Sequence, residues 1–303
     1  MSVRVYAYDE TSRTDFRRLP LSLLAFEITT ACFHLIQGVT VLGLLRGFDK
    51  KKDFLSPVYA PYLVWPNMTL PAAERSFSYE KEYVGQFSVG GAVFAFFLLS
   101  FSFQFFPIVI PQINKIFANL LYEYYVQPFR WCEYSVSASL MAMIFAVLNG
   151  TQDIFLVVSM FFLFFATMFF GLIQELFISA KIKYIPDMPV YVAFLPFVCG
   201  CVTFSITAAV FLRQFQLAIN HSPQSPPQWV FGIYSSQFIL LMSFAIVQFV
   251  EHVYMFMNYK KPKKCETYAV RAEFAYTTLS LLAKSILCWV LYANAMAENS
   301  LSD

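Results

Sequence analysis

Lys284 is the residue in this sequence whose type and position most demand a chemical explanation. It is the one charged side chain between Phe274 and Ala297, an otherwise apolar run, and it lies about 13 residues, or ~20 Å of helix, from that run's C-terminal end. A lysine snorkels over only a few ångströms. A bare ammonium at the centre of a bilayer costs at least ~3 kcal/mol on insertion scales, so such a residue turns inward toward a partner. Condensation with an aldehyde, giving a Schiff base, keeps the positive charge but moves it into a pocket built for it. A protonated Schiff base then needs a nearby anion, because desolvation otherwise strips its proton. Glu133, about 16 residues from the C-terminal end of its own apolar run, lies within about one helical turn of the same depth. The pair reads equally as a plain intramembrane salt bridge clamping two helices.

Polar residues recur around these two at helical spacing. Ser280 precedes Lys284 by four, Glu273 lies further back on the same face, and Ser137 follows Glu133 by four. Glu27, Thr30, His34 and Gln37 form a second stripe, and a polar stripe in an apolar helix faces protein or water rather than lipid. A lone His34 is more often a hydrogen-bonded packing residue, but its depth points to a polar cavity beside the lysine. The six cysteines (Cys32, Cys132, Cys199, Cys201, Cys265, Cys288) lie in apolar runs or in a basic loop, where no outer-loop pair is available for a disulfide, and Cys199 and Cys201 read as packing residues. No metal-ligand spacing, phosphate loop or nucleophile with an adjacent base stands out, so an enzyme is not expected.

The elements that must position these groups follow from composition. Of 303 residues, 58% are hydrophobic, 13% are charged and 36 are Phe, whereas a soluble domain carries about a quarter charged residues. Apolar runs extend from Leu21 to Leu45, Tyr83 to Ile110, Phe117 to Gly150, Ile154 to Ile178, Val190 to Leu212, Val230 to Met257 and Tyr268 to Ala297. Each reaches the ~20 residues a helix needs to cross about 30 Å of hydrocarbon. The expected fold is all-α, a seven-helix membrane bundle forming one domain over residues 1–303, with a long loop at 46–82 between the first two helices. No internal repeat or low-complexity tract interrupts it, and the first run reads as a permanent helix rather than a signal peptide.

Seven spans put the termini on opposite sides, and the Lys/Arg bias of short loops indicates which side is cytoplasmic. The N-terminal side holds Arg4, Arg13, Arg17, Arg18, Lys115, Arg130, Lys181, Lys183, Lys260, Lys261, Lys263, Lys264 and Arg271; the other side holds Arg213 and the charges of the long loop, Arg46, Lys50, Lys51, Lys52, Arg75 and Lys81. Sequons at Asn67, Asn149 and Asn220 all fall opposite the N-terminus, as lumenal acceptors must. The N-terminus is therefore expected in the cytoplasm and the C-terminus outside. The basic run Lys260 to Lys264 most simply marks the cytoplasmic face.

These residues resemble the heliorhodopsin family across nearly every helix. Phe33, His34, Leu35, Ile36 and Gln37 are similar to its histidine-containing motif, and Phe129, Arg130, Trp131, Cys132, Glu133, Tyr134 and Ser135 to its third-helix signature. Gln174 and Glu175 end the fourth run, Ser243 to Gln248 lie in the sixth, and Ala275, Tyr276 and Leu279 to Ser285 surround the lysine. The resemblance implies all-trans retinal on Lys284, Glu133 as counterion, Ser280 hydrogen-bonded near the Schiff base, and His34 lining a cytoplasmic-side polar cavity. It also implies an inverted topology in the cell membrane, a homodimer, and short β-structure in the first outer loop. Pro57, Pro61, Pro66 and Pro71 punctuate that loop, so strands are not expected throughout it. Two departures stand out: Gln104 where the family commonly has a second cavity histidine, and Glu251 with His252 where it often has glutamine.

What the resemblance implies is a slow-cycling light sensor whose partners are the bilayer and a second copy of itself, with no nucleic acid and an unspecified signalling partner. Glu251, His252 and Glu27 are candidates for a proton path that would permit light-gated passive conductance. Glu175 and Glu273 read instead as hydrated helix-end residues balancing the basic loops. The rival class is a retinal-free transporter or receptor using Lys284 and Glu133 as an ion pair.

Overall fold

Lipid offers no hydrogen bonds to a backbone, so apolar runs of this length satisfy their own amides as helices. The computed structural model describes residues 18–47, 55–69, 71, 73, 76–221, 223 and 226–300. Seven helices among them are long and apolar enough to cross a membrane: α1 (Leu21–Gly47), α2 (Val89–Val109), α4 (Pro128–Leu148), α5 (Ile154–Lys183), α7 (Leu195–His221), α8 (Gln228–Asn258) and α9 (Pro262–Ser300). Short helices α3 (Pro111–Asn119) and α6 (Val190–Ala193) precede α4 and α7. Arg4, Arg13, Arg17, Asp49, Lys50, Lys51, Lys52, Asp53, Glu74 and Arg75, and the side chain of Arg46, lie outside the described residues.

The second and third spans begin later than the apolar runs that predict them. Tyr83 to Ser88 belong to a strand, and α2 starts where the Ser88 hydroxyl caps it by accepting from the Gly91 amide at 2.9 Å. The third run breaks before Pro128. A proline inside a helix removes a hydrogen bond and clashes with the preceding turn, so α3 ends in a π turn, Leu120–Tyr124, Tyr125 takes a left-handed φ of 55°, and Pro128 opens α4 at its first turn.

The first loop is more regular than its prolines suggest. Strands β1 (Leu55–Val64) and β2 (Ser78–Ser88) pair antiparallel, and β1 contains Pro57 and Pro61. The register steps from Val58 opposite Gly85 to Tyr59 opposite Tyr83, which leaves Val84 as the bulged residue on β2 and β1 unbroken. The Tyr59 amide points away from β2, donating to the Gln152 carbonyl at 2.8 Å. Pro57 and Pro61, two residues to either side, present their nitrogens to that same outer edge, so neither removes a bond from the ladder. The Tyr59 contact ties the hairpin to the turn between α4 and α5. Gly150 makes that turn with a φ of 79°, a conformation a side chain would strain.

In the bundle, α1 packs on α2 and α9, α2 on α4, α4 on α5, α5 on α7, and α8 on α9. Two apolar cavities part α7 from α8. The half nearer the hairpin is closed by Val41, Val93, Phe96, Ile144, Phe145 and Leu287, all buried.

Candidate functional site

Helices α2, α4 and α9 bring the predicted pair together. Lys284 Nζ donates to Glu133 Oε1 and to Ser280 Oγ, each at 2.7 Å, and all three side chains are buried. Ser280 reaches the amine because four residues on a helix share a face. Glu133 Oε1 accepts a second bond, at 2.8 Å, from Ser100 on α2. The Tyr134 ring lies 5.3 Å from Nζ and contributes its face to the cation. Ser137 is fully buried with a hydroxyl that has no hydrogen-bond partner among the described residues, on the wall of a space of about 20 Å³ at Lys284.

That small space shares Ala138, Met141 and Leu241 with an apolar cavity of about 310 Å³ between α4, α5, α7 and α8. The volume falls within the range of small-molecule pockets, and the walls are aromatic and aliphatic, with Phe145, Phe164, Phe204 and Phe238 among them. An amine at the mouth, an anion beside it and an apolar chamber beyond suit an elongated apolar aldehyde. Below the amine, Trp131 lies against the Gly171 backbone so closely that a Cβ there would stand 2.2 Å from a ring carbon. Gly171 is thus required for this packing, and its carbonyl accepts from Gln248 Nε2 at 2.9 Å.

On the N-terminal side of Lys284 the buried groups are polar. A cavity of about 30 Å³, room for about one water, is lined by Glu27, Gln104, Arg130, Glu133, Glu273 and Thr277 among others. Glu27 accepts from Thr277 at 2.7 Å, and Thr30 bonds Gln104 at 3.3 Å. His34 is not among the residues that line this cavity. It sits two turns beyond Glu27 along α1, its ring 5.8 Å from that of Phe97 and neither nitrogen hydrogen-bonded to any described residue. Gln37 accepts from Trp289 at 2.8 Å.

Glu175 and Glu273 are not hydrated helix ends. Both are buried and both pair with Arg130, which joins α4 to α5 and α9. Arg130 is therefore a core residue rather than a loop charge, and it drops out of the topology count. A depth argument alone places all three near the membrane boundary; burial follows from helix rotation, which turns them toward one another. The α4 N-terminus reinforces the arrangement, since the Gln127 amide donates to Glu175 Oε2 at 2.8 Å and helix N-termini favour anions. The Arg130 guanidinium stacks 3.9 Å from the centre of the Tyr276 ring, whose hydroxyl donates to Glu251 at 3.1 Å. Tyr134 in turn donates to the Tyr276 carbonyl at 3.0 Å. Buried His252 adjoins Glu251.

Sequence reasoning did not assign roles to Ser100, Tyr134 or Tyr276. Ser100 carried a usable signal, since it lies four residues before Gln104 on the same face of an apolar helix. The six cysteines are all free. The chain matches the family model described as Heliorhodopsin over residues 23–296. No curated protein matches it.

Proposed function

Because the chain belongs to the heliorhodopsin family and is a retinal-binding, light-sensing, multi-pass membrane rhodopsin, we propose that all-trans retinal attaches at Lys284 with Glu133 as its counterion. The observation that carries this reading is the Lys284 amine, held 2.7 Å from both Glu133 and Ser280 on a small space that shares Ala138, Met141 and Leu241 with an apolar chamber. Retinal, when bound, supplies visible absorption and a photoisomerisation that displaces the lysine nitrogen relative to its surroundings. Glu133 balances the positive charge, and Ser100 fixes the carboxylate that does so. Ser280 orients the nitrogen, while Ala138, Met141 and Leu241 shape the passage into the chamber.

Sensing is the activity this geometry supports best. Buried polar groups run from Glu133 to Arg130, Glu273, Glu175 and Glu251 on the N-terminal side, whereas the hairpin side is packed with apolar residues. A change at the lysine therefore meets a hydrogen-bonded network in one direction and a plug in the other. Tyr134 and Tyr276 connect the two ends of that network and pass movement toward α8 and α9. The N-terminal side is the cytoplasmic one in this reading: Arg18, Lys115, Lys181, Lys183, Lys260, Lys261, Lys263, Lys264 and Arg271 lie there. Asn67 and Asn220 are exposed opposite them, whereas the Asn149 amide nitrogen is buried and supports no glycan. A homodimer in the cell membrane completes the proposal.

The buried carboxylates also favour a second reading, light-gated passive proton conductance, with Glu27 and Glu251 on the inner half of the route. Photocurrent under an imposed proton gradient separates it from sensing alone. The retinal site is tested by the absorption spectrum of the chain expressed with all-trans retinal, beside Lys284→Ala. A visible band in the first that hydroxylamine bleaches, and no band in the second, is expected. Folded wild-type protein without a band would overturn the assignment.

A further inference from the structure

Glu251 and His252, one of the two departures from the family pattern, meet Glu175 in the core. One ligand atom from each of the three lies within 4.8 Å of the other two, and all three side chains are buried. A neighbouring cation, Arg130, already pairs with both Glu175 and Glu273, so one guanidinium serves a cluster that contains three carboxylates. His252 is 1% exposed, and its Nδ1 is buried with no hydrogen-bond partner among the described residues. Buried anions are normally paired or coordinate metals, and a buried imidazole beside two carboxylates offers a metal-ligand set.

From this juxtaposition we infer that Glu175, Glu251 and His252 hold one divalent transition-metal ion of the zinc class. Three atoms no more than 4.8 Å apart fit within a circle of radius about 2.8 Å, so some point lies within that distance of all three. Closing by less than about 1 Å reaches the roughly 2.0–2.2 Å that zinc requires of nitrogen and carboxylate ligands. The Glu175 oxygens accept from Arg130 and from the Gln127 amide, but each carboxylate oxygen keeps a second lone pair for the ion. Imidazole nitrogen in the set selects zinc and its neighbours over magnesium or calcium. The site lies about 10 Å from the end of α8 at Asn258, and a bound ion would tie α5 to α8 next to the Tyr276 contact.

The test uses the full chain, stripped with EDTA, equilibrated with ZnCl2 and desalted before elemental analysis. One zinc per chain is expected, with nitrogen and oxygen neighbours in X-ray absorption at the zinc edge. His252→Ala and Glu251→Gln should each weaken binding at least about tenfold. The chain has three histidines, so His34→Ala and His221→Ala serve as controls and should bind as the wild type does. Should His252→Ala fail to give a monodisperse protein, His252→Gln replaces it in the same comparison. Retention of no zinc by the wild type, loss of binding in a control rather than at His252, or sulfur neighbours from a cysteine would each overturn the site, the first leaving Arg130 and protons as the cluster's counter-charge.

Discussion

Arg130→Met should be among the most damaging single substitutions in the bundle, even though it preserves aliphatic bulk. The Arg130 side chain is 7% exposed and its partners Glu175 and Glu273 are 1% and 4% exposed, so water does little to replace the guanidinium. Removing one partner from a buried ion pair costs about 3–5 kcal/mol, most of it the penalty on the charge left behind. Loss of the stacking on Tyr276, 3.9 Å away, adds about 1 kcal/mol. The expected total is about 4–6 kcal/mol, read from equilibrium unfolding in mixed detergent. The triple variant, Arg130→Met with Glu175→Gln and Glu273→Gln, strands neither of the carboxylates that pair with Arg130 and should recover most of that loss. Lys183→Met provides a contrast: its 3.8 Å pair with Glu123 is 26% exposed on both sides, and such pairs contribute under about 1 kcal/mol. A single Arg130 variant within about 1 kcal/mol of wild type, or a triple variant as unstable as the single, would refute the argument that burial makes this triad costly to break.

Gly171→Ala drives a methyl into the Trp131 ring, with contacts as short as 2.2 Å; the expected loss is about 1–3 kcal/mol in the same unfolding assay, and an unchanged midpoint would show that the ring has room to retreat. Ser100→Ala removes one of two hydrogen bonds to Glu133 Oε1, which concentrates the counterion's charge and should move the visible band to shorter wavelength. Ser102→Ala, whose hydroxyl bonds the Leu98 carbonyl at an exposed position, should leave the band unmoved, so equal shifts in both variants would defeat the assignment. If the protein conducts protons, Glu251→Gln should reduce the photocurrent at least about tenfold while the pigment still forms; full current in that variant would remove Glu251 from the route.

The spans, their number and the pairing of Lys284 with Glu133 were legible because each rests on a local property. Apolarity over ~20 residues is counted along one segment, and the depth of a charge follows from its distance to the end of its own helix. Ser280 and Lys284 needed nothing more than helical periodicity. The limits of the α2 and α4 spans were less legible, since hydropathy does not register the Ser88 cap or the stop imposed by Pro128. The hairpin was obscured for a related reason: whether Pro57 and Pro61 break a strand depends on which edge their nitrogens face, and pairing with β2 decides that.

Which charges are wet and which are buried was decided by the tertiary structure. Glu175 and Glu273 sit at depths suited to hydrated helix ends, and Arg130 counts by position as a loop charge, yet the rotation of α4, α5 and α9 turns all three inward. Rotation about a helix axis is fixed by packing against neighbours, and so cannot be read from one helix's residues. The same holds for Glu175, Glu251 and His252, brought within 4.8 Å across α5 and α8, and for His34, whose ring packs against that of Phe97. Sequence sets how deep each side chain lies; packing sets what it faces, and the chemistry of a buried charge depends on what it faces.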